Sequence, residues 1–97
     1  MVIVWGSIEA RPGKLEEAIQ LSLDHVHRSR TEPGCIRHSV HIDVENRARL
    51  VFFEEWADMP ALQTHFAVPE SGDFVERVGR LAVGPPEMKI FESSQVN

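Results

Sequence analysis

The sequence predicts an α+β fold: a four-stranded antiparallel sheet with its helices on one face, in the order β-α-β-β-α-β. Three observations predict it. Stretches of period-two hydrophobicity alternate with stretches of helical period in that order. The breaker pairs Pro12-Gly13, Pro33-Gly34 and Gly84-Pro85 fall between them. The 97-residue length gives one domain over residues 1–97 with a single small core, much of whose apolar surface stays wet unless a partner covers it.

Each element has its own justification. Val2 to Glu9 is rich in β-branched residues, with Val2, Val4, Gly6 and Ile8 on one face and Ile3, Trp5, Ser7 and Glu9 on the other. Lys14 to about Arg30 carries Leu15, Ala18, Ile19, Leu23 and Val26 at helical spacing, with acids early and Arg28 and Arg30 late, as the helix dipole favours. Cys35 to Val44 is the second strand; Ile36, His38, Val40, Ile42 and Val44 share a face opposite Arg37, Ser39, His41 and Asp43. Glu45-Asn46-Arg47 connects it to the third strand, Leu50 to Trp56, with Leu50, Phe52, Glu54 and Trp56 on one face and Val51, Phe53 and Glu55 on the other. Asp58 is an N-cap and Pro60 suits the first turn of a helix that carries Met59, Leu62 and Phe66 on one face beside His65. Pro69-Glu70-Ser71-Gly72 breaks that helix. Helical spacing resumes from Asp73 to Leu81 through Phe74, Val78 and Leu81, and Glu87 to Glu92 reads as the last strand. This is the split βαβ, or ferredoxin-like, arrangement.

Helices on one face leave the other face of the sheet open. Ile3, Trp5, Val51, Phe53 and Phe91 are too apolar to stay in water, so the expectation is a homodimer in which two sheets close face to face around a shared barrel.

The bulk composition excludes several classes. The formal charge is −5 with no basic stripe, which argues against nucleic acid as a partner. No apolar run approaches the ~18 residues of a membrane span, and the first residues lack the basic and apolar regions of a signal peptide. The one cysteine, Cys35, makes no internal disulfide and reads as a small buried hydrophobe in a reducing cytoplasm.

The run EPGC, a strand, FFEEWAD and then ALQTHF, with RPGK near the start, resembles the antibiotic biosynthesis monooxygenase domain family, small dimeric α+β barrels. The resemblance spans roughly Val2 to Phe91. It implies oxygenation of an electron-rich aromatic, such as a quinol or polyketide intermediate, by O2 without metal or flavin. It also implies a pocket between sheet and helices, lined by Trp56 and His65. Three departures stand beside it. The Ser-Pro-His-Phe run of many members is replaced by residues 68–74 without a His. Where haem-degrading relatives carry an Asn and an axial His, this chain offers Gly6 or Ser7 and Glu76 or Arg77. His38 stands where many members carry Tyr.

The candidate residues follow. His65 is the candidate general base, because imidazole titrates near neutral pH and can take a phenolic proton; the alternative is a half-buried His within the helix packing. His38 is the second catalytic candidate, as proton acceptor or hydrogen-bond partner, against a reading as a bonded core residue. Trp56, Phe66, Phe52, Leu62 and Phe74 are the candidate substrate-binding residues, with Trp56 as both wall and core. His25 and His27 point in different directions on their helix, His38 and His41 differ in parity on their strand, and no metal site is expected. The competing function is a binding module that uses the same pocket without turnover; a haem-degrading relative is the third reading.

Overall fold

The computed structural model describes residues 1–97. Its elements are β1 (Val2–Glu9), α1 (Leu15–Ser29), β2 (Cys35–Asp43), β3 (Asn46–Trp56), α2 (Met59–Ala67), α3 (Pro69–Arg80) and β4 (Glu87–Glu92). The sheet is antiparallel in the order β2-β3-β1-β4. No helix is long and apolar enough to cross a membrane.

Register fixes the two faces. Val2, Val4, Gly6 and Ile8 pair with Trp56, Glu54, Phe52 and Leu50, so these side chains share the helix-covered face. Most of them are buried there. One core cluster joins Ile8, Leu50 and Phe52 to Ala18 and Val26 of α1 and Val78 of α3. A second, at the other end of the sheet, joins Val2, Val4 and Trp56 to Leu62 of α2. The opposite face carries Ile3, Trp5, Val51 and Phe53, each half-buried in the single chain, with Phe91 exposed beside them. Arg49 and Lys89 reach over the Trp5 ring at 5.4 and 5.8 Å.

Three boundaries and one strand interior depart from the sequence reading. The third helix begins at Pro69, not Asp73. Proline at the first helical position gives up an amide that would have no intrahelical partner, so Pro69 to Gly72 opens α3. β3 begins at Asn46, because Asn46 already pairs with Asp43 and shortens the hairpin connection. β2 ends at Asp43, one residue early. Ile36 lies between Cys35, opposite Trp56, and Arg37, opposite Glu55; this bulge turns Ile36 off the core face to 58% exposure.

Two short features aim the later helices. Asp58 accepts from the Ala61 amide at 2.9 Å and caps α2. Gly34 has φ +84°, a conformation that side chains disfavour, and lets the loop before β2 pass close over α2.

Candidate active site

α1 contributes through a buried stripe of small and polar residues, Ala18, Ser22, His25, Val26 and Ser29, at helical spacing. This stripe faces the sheet, so His25 enters the space between sheet and helices. His38 enters it from β2 and His65 from α2, all three buried. Their ring centroids are 5.2 Å apart for His25 and His38, 5.3 Å for His25 and His65, and 5.6 Å for His38 and His65. His25 stacks face to face on Phe74 of α3 at 4.0 Å.

Beside the cluster lies a cleft of about 670 Å³, open mouth included. Gly6, Phe52 and Glu54 line it from the sheet, His25, His65 and Phe66 from α1 and α2, Phe74 and Val78 from α3, and Met88 from β4. Of the seven residues expected from the sequence, His65, Phe52, Phe66 and Phe74 therefore line the cleft. His38, Trp56 and Leu62 do not. Trp56 and Leu62 are fully buried in the second core cluster, and the indole backs the His65 ring at 4.6 Å. Trp56 is core here, one layer behind the wall.

His25 and Glu32 join the site as residues the sequence reading left out of it, and Glu54 lines it from the sheet. A signal for His25 was present: it repeats with Ala18, Ser22 and Ser29 along one helix face, a stripe polar enough to be overlooked beside Leu15, Ile19 and Leu23.

Ionic contacts fix the cluster. Glu32 Oε1 accepts from His65 Nδ1 at 2.7 Å, and Glu32 Oε2 accepts from Arg28 at 2.6 Å. The other guanidinium nitrogen of Arg28 donates to His25 Nδ1 at 2.7 Å. Burial chiefly, then the neighbouring His38 and His65, then Arg28, push the His25 pKa down to about 3, so the ring is neutral at physiological pH.

On the sheet, Glu54 Oε1 accepts from the Trp56 indole N–H at 2.9 Å and lies 3.3 Å from His38 Nε2 and 4.0 Å from His65 Nε2. Burial alone would raise the Glu54 carboxyl. Contact with His38, the indole bond and the nearby His65 outweigh it and hold the carboxyl below its usual range. His38 is fully buried with no well-aligned hydrogen bond at either ring nitrogen, so this contact with Glu54 is its main polar anchor.

The candidate ligand nitrogens of His25, His38 and His65 lie within 4.8 Å of one another, a gathering the sequence reading did not anticipate. A transition metal would need a lone pair from each ring. Arg28 is only ever a donor, so His25 Nδ1 is the acceptor and the ring's single proton sits on Nε2. One ring of the three therefore has no free lone pair to offer an ion. The set is suited to hydrogen bonding and proton transfer.

Comparison with known proteins agrees with this architecture. The family model described as antibiotic biosynthesis monooxygenase matches residues 1–77. An uncharacterised protein of Synechocystis sp. is 38% identical over 94 residues; the match takes in 97% of this chain, which spans 64% of that relative's length. A Deinococcus radiodurans protein assigned, as a candidate, to the antibiotic biosynthesis monooxygenases superposes with a TM-score of 0.95 at 24% identity, covering 100% of this chain and 96% of its own. The Rv0793 protein of Mycobacterium tuberculosis superposes at 0.90 with 22% identity, covering 97% and 95%. These two structural likenesses carry the fold.

Proposed function

The chain belongs to the antibiotic biosynthesis monooxygenase family, and from that premise we propose that it is a cofactor-independent monooxygenase acting on an electron-rich phenol or quinol. The single observation that carries this reading is the setting of His65. Its Nδ1 donates to Glu32, and its ring lines a mostly apolar cleft walled by Phe52, Phe66 and Phe74.

The chemistry asks little of a protein. In the neutral ring, the Glu32 bond keeps the proton on Nδ1 and leaves the Nε2 lone pair to take a phenolic proton. The phenolate gives one electron to O2, and the phenoxyl radical and superoxide join at a ring carbon. The imidazolium protonates the resulting peroxide anion. Loss of the C–H proton with cleavage of the O–O bond then gives a quinone and water. One molecule each of phenol and O2 thus yields one each of quinone and water, with every electron drawn from the substrate. Glu32 and Glu54 stand 2.7 and 4.0 Å from the two ring nitrogens of His65, so negative charge lies beside the ring while it holds the proton. The role we assign to His38 is to keep Glu54 ionised from behind the wall, as a hydrogen-bond partner within the proton network.

We extend the proposal to assembly. The apolar face bearing Ile3, Trp5, Val51, Phe53 and Phe91 is the surface on which a second copy would close.

The test is anaerobic binding of a model quinol followed by addition of oxygen. Wild type consumes O2 in proportion to quinol, and His65→Ala lowers the rate by about 10²–10⁴. Equal rates in the two proteins would remove His65 from the mechanism. Saturable quinol binding with no oxygen uptake in either protein would make the chain a binding module.

A further inference from the structure

We propose that His25 is a catalytic residue of this site: a hydrogen-bond donor, set by Arg28, that receives the substrate oxygen from which His65 takes the proton. The inference rests on the phenol-deprotonation reading above and adds to it a second group on the same oxygen.

The argument begins with the Arg28–Glu32 ion pair, which ties the two histidines together with opposite sense. Glu32 accepts from Nδ1 of His65, so that ring turns a lone pair on Nε2 toward its other side. Arg28 donates to Nδ1 of His25, so that ring turns an N–H. A guanidinium cannot accept a hydrogen bond, and a carboxylate cannot donate one, so neither assignment can reverse while the pair is in place. One ion pair therefore makes two identical side chains into an acceptor and a donor.

Both rings line the cleft. The ring centroids are 5.3 Å apart and a nitrogen of one ring lies within 4.8 Å of a nitrogen of the other, a separation that one oxygen spans with two N···O contacts of about 2.9 Å. Phe74, stacked flat on the His25 ring with 6° between planes, fixes the plane in which the N–H points. Its neutrality matters as much as its direction. A donor that never ionises cannot return a proton to the phenolate, so it stabilises negative charge on oxygen without quenching it. A histidine held near pKa 3 by burial, by the neighbouring His38 and His65 and by Arg28 meets that requirement across the physiological range.

The test has a spectroscopic and a binding arm. Two-bond ¹H–¹⁵N correlations on ¹⁵N-histidine-labelled wild type are expected to show His25 as the Nε2–H tautomer from pH 5.5 to 8 with no titration, and Arg28→Gln to lose that pattern. In the binding arm the probes are 4-nitrophenolate and its methyl ether, 4-nitroanisole. His25→Leu is expected to bind nitrophenolate about tenfold or more weakly while nitroanisole affinity moves less than twofold. His25→Gln, which keeps an N–H near the same place, recovers most of the loss. Circular dichroism verifies that each variant is folded; if His25→Leu is not, the tautomer arm and His25→Gln decide.

A Nδ1–H tautomer, a charged His25 at pH 6, or undiminished nitrophenolate affinity in folded His25→Leu overturns the proposal and leaves His65 as base. The expected tautomer and binding pattern without oxygen uptake sinks the oxygenation reading alone. Failure of wild type to bind nitrophenolate sinks both.

Discussion

Glu32 Oε1 meets His65 Nδ1 at 2.7 Å across a sequence separation of 33 residues, joining the turn after α1 to the last turn of α2. Glu32 also holds Arg28, so its charge is already partnered and its second oxygen is free to orient the imidazole. Glu32→Gln keeps an acceptor for Nδ1 but removes the negative charge beside the ring that receives the proton. The expected outcome in steady-state oxygen uptake is a fall in kcat on the order of a hundredfold, with KM within about threefold, because the ring still stands in the cleft. A rise in KM with kcat unchanged would make Glu32 part of substrate binding instead.

Acid sensitivity should trace to Glu54. Its folded-state pKa lies below the ordinary 4.5, so the folded protein holds the carboxylate more tightly deprotonated than the unfolded chain does. Its contribution to stability is therefore complete above about pH 4.5 and is lost as pH falls through the lower folded value. Trp56→Phe removes the indole donor from a buried carboxylate, a loss of about 1.5–3 kcal/mol of charge-assisted bonding, and it raises the folded pKa. Acid unfolding followed by near-ultraviolet circular dichroism should begin at higher pH in Trp56→Phe than in wild type. Glu54→Gln, with no charge to lose, should flatten stability across the same window. An acid limb unaltered in both variants would assign the sensitivity to other carboxylates.

How much of this could be read from the chain alone follows from which signals are local. Strand parity is local, and it placed Leu50, Phe52, Glu54 and Trp56 on one face, as the register has them. Helix initiation at Pro69 was hidden because Pro-Glu-Ser-Gly has the composition of a loop, and its helical state depends on packing against α1. Ile36 escaped because a bulge needs a partner strand to define it. For the site, His65 was singled out through the family resemblance, and the structure places its ring on the cleft. His25 was not, because its meaning comes from Arg28 one turn later and from Glu32, which lies beyond the helix end. Trp56 was read as wall and core, the wall through the family resemblance; the structure keeps the core part, because strand parity gives a face but not a depth.

Gly34 lies tightly against α2 near the site. A Cβ there would stand 2.5 Å from the Ala61 Cβ, and φ is +84°. Gly34→Ala therefore meets both a left-handed backbone penalty of about 1–2 kcal/mol and a clash with α2, the helix that carries His65. The expected drop in thermal midpoint is about 10 °C or more by calorimetry. Adding Ala61→Gly relieves the clash but not the backbone penalty, so the double variant should recover only part of the loss. Full recovery would mean that contact alone makes the position intolerant. No change in the single variant would mean that the loop can move off α2 freely.

The open sheet face gives the last prediction. Trp5 pairs with Phe53 across β1 and β3, with Val51 and Ile3 adjacent on the same surface, and each is only half-buried in one chain. A second sheet would remove this apolar area from water at about 25 cal/mol per Å². Sedimentation equilibrium should give twice the 11.0 kDa chain mass for wild type. Phe53→Glu puts an unpaired charge at the centre of the proposed contact and should give a monomer at micromolar concentration, folded by far-ultraviolet circular dichroism, because its side chain points away from the helix-covered core. The cleft lies on the opposite side of the sheet, so nitrophenolate binding should survive in the monomer. A wild type that sediments as a single chain would leave the apolar face without its proposed occupant, and His25, Arg28, Glu32 and His65 would still form the same network within one subunit.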